Sequence, residues 1–393
     1  MVKRVLCCSG SLEGGGSERQ LWQLAIGLEP QRFATEIFLL YRRGLYLAQV
    51  PPRIPIHDFW SSHDQTHFFW PGQIRSRQIQ QLVRTIRERQ IDIVYDRTFH
   101  MTLLTAAACR RTHTPRISVI VSPPSLDFMR SPERFRWLKK RLLSQAYRDP
   151  LCLPVTVSSA VADDAASFYG VPRQRFTTLP SPIDIAAVAK AALPELPHWP
   201  HSDNLQEQFR LVVVGRLSAE KGQSLALQAL AQFKAQLPAQ NVQLTIVGDG
   251  PDRPALEQLV QHLSLEGYVH FTGRIDNPYP WMRGAHLLCI PSLYEGLPNV
   301  ALEAMCLGTP VVSTRCSGSV QELLGDNLRG MLTPIGDAPA LAAAMRQRLE
   351  TPDLWNARTV AATQWVGAHH ALEPWLVQMQ RLLEQWTEAR NRS

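Results

Sequence analysis

The sequence predicts an α/β protein built from two doubly wound, Rossmann-like domains. Three observations carry this reading. Short apolar runs alternate with helical patterns almost from end to end. The alternation breaks once, over a proline-rich stretch at residues 181–208. It then restarts with a new apolar strand and a new glycine-bearing loop. Strands separated by helices of about a dozen residues indicate parallel pairing through right-handed crossovers.

In chain order, residues 3–8 read as a strand and a glycine loop follows. A helix from about Ser17 comes next, with Leu21, Leu24, Ala25 and Leu28 at helical spacing. Residues 37–40, 91–95, 116–121 and 155–157 are further strands, and 73–89 a helix. After the proline-rich break, strands are expected at 211–214, 243–247, 269–272, 287–290 and 310–313. Helices are expected at 222–233, 255–263, 298–307 and 338–349. One long helix ends the chain, with Trp375, Met379, Leu382 and Trp386 on one face. We therefore expect domains at 1–180 and 209–365, a linker at 181–208, and a helix at 366–393 that packs back on the first domain.

Of the 393 residues, 45% are hydrophobic and 19% charged, far too apolar a balance for disorder. No apolar run approaches the roughly 18 residues needed to span a bilayer. The first ten residues hold too short an apolar run for a secretory signal. Seven cysteines without a Cys-x-x-Cys pair fit a reducing, cytoplasmic setting.

The net charge of +7 is unevenly spread. Residues 1–180 carry 25 Lys/Arg against 14 Asp/Glu, and the remainder 16 against 20. A basic first half suits nucleic acid, anionic lipid or phosphorylated small molecules.

Ligands of doubly wound sheets bind at the carboxyl ends of strands, so the strand-to-helix loops are the places to look. Residues 13–18, Glu-Gly-Gly-Gly-Ser-Glu, follow the first strand. Glycines let the backbone approach a ligand, Ser17 is a candidate cap, and a helix N-terminus favours an anion. Taken alone, this is equally a flexible turn. Residues 215–222, Gly-Arg-Leu-Ser-Ala-Glu-Lys-Gly, place Arg216 and Lys221 in one loop. Two fixed cations there suit a diphosphate, although a solvated basic turn has the same composition. Residues 294–303, Tyr-Glu-Gly-Leu-Pro-Asn-Val-Ala-Leu-Glu, put Glu295 before a helix and Glu303 within it. A carboxylate among Val300, Ala301, Leu302, Ala304 and Met305 needs a partner, which ligand hydroxyls or a neighbouring arginine would supply.

The two glutamates with seven residues between them, followed by Gly-Thr-Pro-Val-Val at 308–312, resemble the signature of the retaining glycosyltransferases of family 4, which have the GT-B fold. Gly215-Arg-Leu with Glu220-Lys221-Gly222 is similar to that family's diphosphate loop. Residues 247–251, 271–274, Glu322 and the loop at 14–19 follow its pattern in order. The resemblance is dense at 210–325 and thin at 45–180. It implies two domains facing a cleft and a metal-independent hexosyl transfer without a cofactor. It implies that amides near Gly15 and Gly16 touch the donor β-phosphate, and that Arg216 and Lys221 neutralise the leaving diphosphate. Glu295 would contact the donor sugar beside the amides of Gly296, Leu297, Pro298 and Asn299. Glu303 would hold the ribose, and backbone near Ile275 the base.

The chain departs from the family pattern in places. Ser122 stands where a histidine is usual, and His100 is the alternative for that donor-sugar contact. Residues 57–67 hold three histidines and look metal-rich. Nothing fixes their geometry, so we expect a solvated or acceptor-facing loop and no metal. Residues 130–143 combine Arg134, Arg136, Lys139, Lys140 and Arg141 with Phe135, Trp137 and Leu138. That composition suits a helix on an anionic membrane or at the acceptor.

The expectation is a glycosyltransferase moving a sugar from a nucleotide-diphosphate sugar to a lipid-linked or cell-surface glycan precursor. Its place would be the cytoplasm, peripheral on the inner membrane face. A nucleotide-sugar epimerase and a non-catalytic nucleotide-sugar-binding partner protein are the alternatives. No recognisable nucleic-acid module accompanies the basic half, so no nucleic-acid partner is expected.

Overall fold

The computed structural model describes residues 2–62, 72–130, 135–193, 199 and 208–391. The chain forms two compact units, Met1–Pro182 with Glu373–Ser393, and Ile183–Leu372.

The first unit runs β1 (Lys3–Ser9), α1 (Gly16–Gly27), β2 (Phe33–Leu39), β3 (Ile56–Asp58), α2 (Gln73–Glu88), β4 (Ile93–Arg97) and α3 (Phe99–Thr112). It continues with β5 (Arg116–Ile120), α4 (Pro124–Arg130), α5 (Arg136–Arg148), β6 (Cys152–Thr156), α6 (Ser159–Tyr169) and β7 (Thr177–Thr178). Its seven strands are ordered β3-β2-β1-β4-β5-β6-β7, all parallel. The interior strand β1 is apolar from Val5 to Cys8, where helices cover both faces of the sheet. Leu6 and Cys8 of β1 join Ile79, Leu82 and Ile86 of α2 and Leu104 of α3 in one core cluster.

The second unit begins with α7 (Ile185–Ala191), then β8 (Phe209–Val214), α8 (Gln223–Gln236), β9 (Val242–Val247), α9 (Arg253–His262), β10 (Val269–Gly273) and α10 (Tyr279–Gly284). It continues with β11 (Leu287–Ile290), α11 (Asn299–Cys306), β12 (Val311–Thr314), α12 (Gly318–Leu324), β13 (Met331–Thr333), α13 (Ala338–Glu350) and α14 (Pro352–His369). The order β10-β9-β8-β11-β12-β13 is again wholly parallel. Side chains alternate across this sheet with period two. Leu211 and Val213 pack with α8 and α13 on one face. Val212 packs with α11 and α12 on the other.

Several readings need correction. The expected single terminal helix is two, α14 and α15 (Leu372–Asn391), with the break at His370–Ala371. There the chain pairs with its own earlier crossing: Ile183 N–H donates to His370 O at 2.7 Å and Ile183 bridges Ala371. The fully buried stripe of α15 is Trp375, Met379 and Leu383, while Leu382 and Trp386 are half-buried. The buried set advances four residues per step, slightly more than the 3.6 of one turn, so the stripe winds gently around the helix instead of running straight along it. Of the basic stretch, Arg130 ends α4 and the helix from Arg136 is α5, while residues 131–134 lie outside the described residues.

α15 packs on the first unit. Trp386 Nε1 donates to Leu151 O at 3.1 Å, and Arg32 holds Glu384 through Nε at 3.0 Å and a terminal nitrogen at 2.8 Å. Gly27 lies close beneath it: a Cβ there would come within 2.7 Å of Leu376 Cδ1, so the leucine tip would have to swing aside.

Candidate active site

Strand order reverses between β8 and β11, so the loops after these two strands diverge and leave room for a ligand at their carboxyl ends. Glycine lets the neighbouring loops touch backbone to backbone. Gly222 has φ +65°, and a Cβ there would sit 2.1 Å from Pro291 O. Gly248 and Gly250 meet the carbonyls of Gly215 and Leu217 just as closely. Leu293 N–H donates to Glu220 O at 2.8 Å and Leu217 N–H to Asp249 O at 3.0 Å. The three loops form one rigid rim.

On this rim, Lys221 Nζ lies 2.8 and 2.9 Å from the two carboxylate oxygens of Glu295. Glu295 is nearly buried, and Ser292 Oγ donates to its Oε1 at 2.7 Å. The Ser292 carbonyl in turn accepts from the Thr314 hydroxyl of β12. Beside them, burial pushes the Glu220 carboxyl up. The Ser218 hydroxyl, its own backbone N–H, Lys221 and Arg216 outweigh burial and hold it below the usual range. Arg216 is exposed, with its carbonyl fixed by Gln223 Nε2 at 2.8 Å.

Past Glu295 the chain turns through Gly296, Leu297 and Pro298 into α11. Pro298 is the N-cap residue and Asn299 the first helical one. Leu297 and Ile275 are half-buried against the same core. Glu303 is 5% exposed, with the Tyr279 hydroxyl 3.5 Å from its Oε1. Thus Lys221, Glu295 and Glu303, drawn from two distant motifs, stand around one end of one sheet.

In the first unit, α1 starts at Gly16 with Gly15 as N-cap. Ser17 is not the cap, because its hydroxyl accepts from Arg97 Nε at 3.1 Å. The end is closed instead by Glu18, whose carboxylate accepts from the N–H groups of Gly14 and Gly15 at 3.0 and 2.8 Å. Of the two glycines singled out in the sequence, Gly15 thus already has its amide engaged. His100 is exposed in the first turn of α3. The Ser122 hydroxyl donates to Asp127.

In the histidine-rich segment, His57 Nε2 lies 2.6 Å from Glu36, and the other two histidines fall outside the described residues. Among the described residues, no group of three or more His, Cys, Asp or Glu is placed to hold a metal ion. All seven cysteines are free thiols, and burial pushes Cys7, Cys109 and Cys289 up to about 12. They act as small hydrophobes.

Along α5, Phe135, Trp137 and Leu138 are exposed, as are Arg136, Lys140 and Arg141. Lys140 Nζ sits 4.1 Å above the Phe168 ring and Lys139 Nζ 5.5 Å above Phe128. Arg134 lies outside the described residues. Among the described residues, no helix is long and apolar enough to cross a membrane.

Sequence reading missed Ser292 and Arg97. The only hint of Arg97 is that a charged pair, Asp96-Arg97, ends an otherwise apolar strand.

Comparison with known proteins gives two family models. "Glycosyltransferase Family 4" matches residues 14–187 and "Glycosyl transferases group 1" residues 208–351. A Campylobacter jejuni N-acetylgalactosaminyltransferase acting on a diphospho-undecaprenol-linked sugar is 26% identical over 60% of each chain. The lipopolysaccharide core glycosyltransferase LpsE of Rhizobium meliloti is 37% identical over 34% of this chain and 37% of its own. An alpha-D-kanosaminyltransferase of Streptomyces kanamyceticus is 34% identical over 43% of each. The aligned stretch spans less than two thirds of each of these relatives. Among solved structures, Anabaena HepE in complex with UDP superposes with a TM-score of 0.78 at 23% identity, covering 98% of this chain and all of that one. WaaG, from lipopolysaccharide biosynthesis, gives 0.71 at 17% identity over 96% and 99%. Two parallel doubly wound sheets, their ordered loop motifs and two matching family models lead to one assignment: the chain belongs to glycosyltransferase family 4 and has the GT-B fold.

Proposed function

We propose that the protein transfers a hexosyl group, with retention, from a nucleotide-diphosphate sugar to a lipid-linked or cell-surface glycan precursor. The observation that carries this is the Lys221–Glu295 pair on the rim at the strand-order reversal, with Glu303 one helix turn and more beyond it. A sugar diphosphate presents hydroxyls and two phosphates, and this rim offers a fixed cation, two carboxylates and a helix N-terminus.

In this reading Glu303 accepts from the ribose hydroxyls and backbone near Ile275 meets the base. Glu295 accepts from the donor sugar, and the amides from Gly296 to Asn299 lie alongside. Arg216 and Lys221 draw off charge as the sugar–phosphate bond breaks. The acceptor oxygen attacks the anomeric carbon from the face that the phosphate leaves. Its proton passes to the departing phosphate oxygen, so the configuration is retained. The fixed Lys221 and the exposed Arg216 together do here what a metal would, and the step is proposed to run without one.

For the acceptor side, support comes from the basic, aromatic face of α5 and from relatives named for building lipid-linked or lipopolysaccharide glycans. A lipid-linked acceptor on an anionic, cytoplasm-facing membrane surface fits that face.

The test is a panel of nucleotide sugars with the purified protein, scored for binding and for donor hydrolysis. Saturable binding of at least one donor, with turnover lost in Glu295→Ala, is the expected result. No binding across the panel would overturn the proposal. Turnover in EDTA would carry the metal-free step.

A further inference from the structure

Arg97 ends β4, beside β1 where the strand order of the first sheet reverses. Its side chain is 4% exposed. It makes three hydrogen bonds: Nε to Ser17 Oγ at 3.1 Å, one terminal nitrogen to the Tyr95 hydroxyl at 2.9 Å, and the other to Gln20 Oε1 at 2.5 Å. All three acceptors are neutral. The adjacent Asp96 is wholly buried and does not compensate it, since its oxygens are taken by Thr102, Thr105 and Ser118.

A buried guanidinium normally sits against a carboxylate, because desolvating a lone charge is unfavourable. This chain shows the ordinary arrangement elsewhere: buried Arg116 has Asp149 at 3.6 Å. At Arg97 each of the three nitrogens has an acceptor, but no carboxylate among the described residues pairs with the charge. Two of the three acceptors, Ser17 and Gln20, belong to the first turns of α1. Trp375 and Met379 of α15 close the crevice from which Arg97 could otherwise reach water.

We infer that Arg97 is a positioning residue for a phosphate group bound at the start of α1. It clamps that turn from behind and lends it a positive charge that is neutralised when the anion arrives. The inference rests on the nucleotide-sugar reading and extends it. Glu18 accepts from the Gly14 and Gly15 amides, so an anion at this turn would meet the later first-turn amides with the Arg97 charge behind them. The same chemistry serves a donor diphosphate or the diphosphate of a lipid-linked acceptor.

The test uses the full chain and its Arg97→Gln, Arg97→Lys and Ser17→Ala variants. Binding of UDP, inorganic pyrophosphate and geranyl diphosphate is measured by calorimetry, and thermal midpoints are taken without ligand. Arg97→Gln should keep or raise the unliganded midpoint, because the uncompensated charge is gone. Its affinity for the anion should fall about tenfold, the size of one charge-assisted bond. Arg97→Lys should recover most of that affinity. Ser17→Ala, which keeps the charge but removes the acceptor of Arg97 Nε, guards against a variant that does not fold; its midpoint should fall slightly and its binding weaken several-fold. Loss for UDP alone assigns the donor, and loss for geranyl diphosphate the acceptor. If Arg97→Gln melts earlier yet binds like the parent, or Ser17→Ala binds like it, the side chain is only structural and the inference falls. If the parent binds none of the three anions, the nucleotide-sugar reading falls with it.

Discussion

Lys221 and Glu295 come from loops 74 positions apart and meet in a two-oxygen ion pair at 2.8 and 2.9 Å. Lys221 is one-third exposed and Glu295 about one-tenth, so the carboxylate relies on the pair more than the ammonium does. Lys221→Met should therefore destabilise the fold by about 2 kcal/mol, leaving a nearly buried carboxylate with only Ser292. Glu295→Gln should cost less. Urea unfolding of both single variants and the double variant would measure the coupling. A double variant less stable than the sum of the singles would contradict it.

Two glycines of the second unit, Gly222 on the rim and Gly308 after α11, are not equivalent. Gly222 and Gly308 both have positive φ, at +65° and +70°, but only Gly222 has a carbonyl in the way of a Cβ. Gly308→Ala should lose about 1 kcal/mol, the backbone term alone. Gly222→Ala should lose about 3 kcal/mol and carry the loop away from Pro291. Equal midpoints in a denaturant titration would show that the close approach carries no cost.

His286 gives the second domain a pH dependence. Burial first, then Arg210 and Arg348, push its imidazole down to about 4 from 6.5. Arg210 N–H donates to its Nδ1 at 3.0 Å, which requires a bare ring nitrogen. The unfolded chain binds a proton here below pH 6.5 and the folded one only near 4, so stability is full above 6.5 and falls as pH drops towards 4. The ring is partly exposed, so we expect a loss of roughly 1 kcal/mol after allowing for solvent screening. His286→Asn should flatten the stability–pH curve between these limits.

The exposed face of α5 makes a membrane prediction. Wild-type protein should sediment with phosphatidylglycerol vesicles, weakly with phosphatidylcholine alone, and less as salt rises. Reversing Lys140 and Arg141 to glutamate should lower partitioning by well over tenfold, at roughly 1 kcal/mol or more per charge. Trp137→Ser should lower it without changing the salt dependence. Sedimentation that ignores all three substitutions would remove α5 from the interface.

Both sheets were legible because strands under two helical layers carry short apolar runs, as at 5–8 of β1, 211–214 of β8 and all of β11. The reading failed where length or tertiary context decides. β3 has three residues on a sheet edge, too few to show a period. The break between α14 and α15 has no proline or glycine at His370–Ala371, because it is set by the backbone bond to Ile183. Within the candidate site, each motif could be found by its own spacing. That Lys221 would be tied to Glu295, and Ser17 to Arg97, depended on loops being brought together by strand order.

The pairing of Ile183 with Ala371 has a consequence for biosynthesis. Residues 183–372 are one uninterrupted stretch, so that domain is complete once its last turn leaves the ribosome. The other domain is begun first and finished last. Until α15 emerges, Gly27, Leu151 and the Arg97 crevice have no cover, and Arg32 has no Glu384. A nascent chain stalled before residue 373 would therefore present an incomplete first domain beside a finished second one. That makes it a natural client for a holdase chaperone during translation.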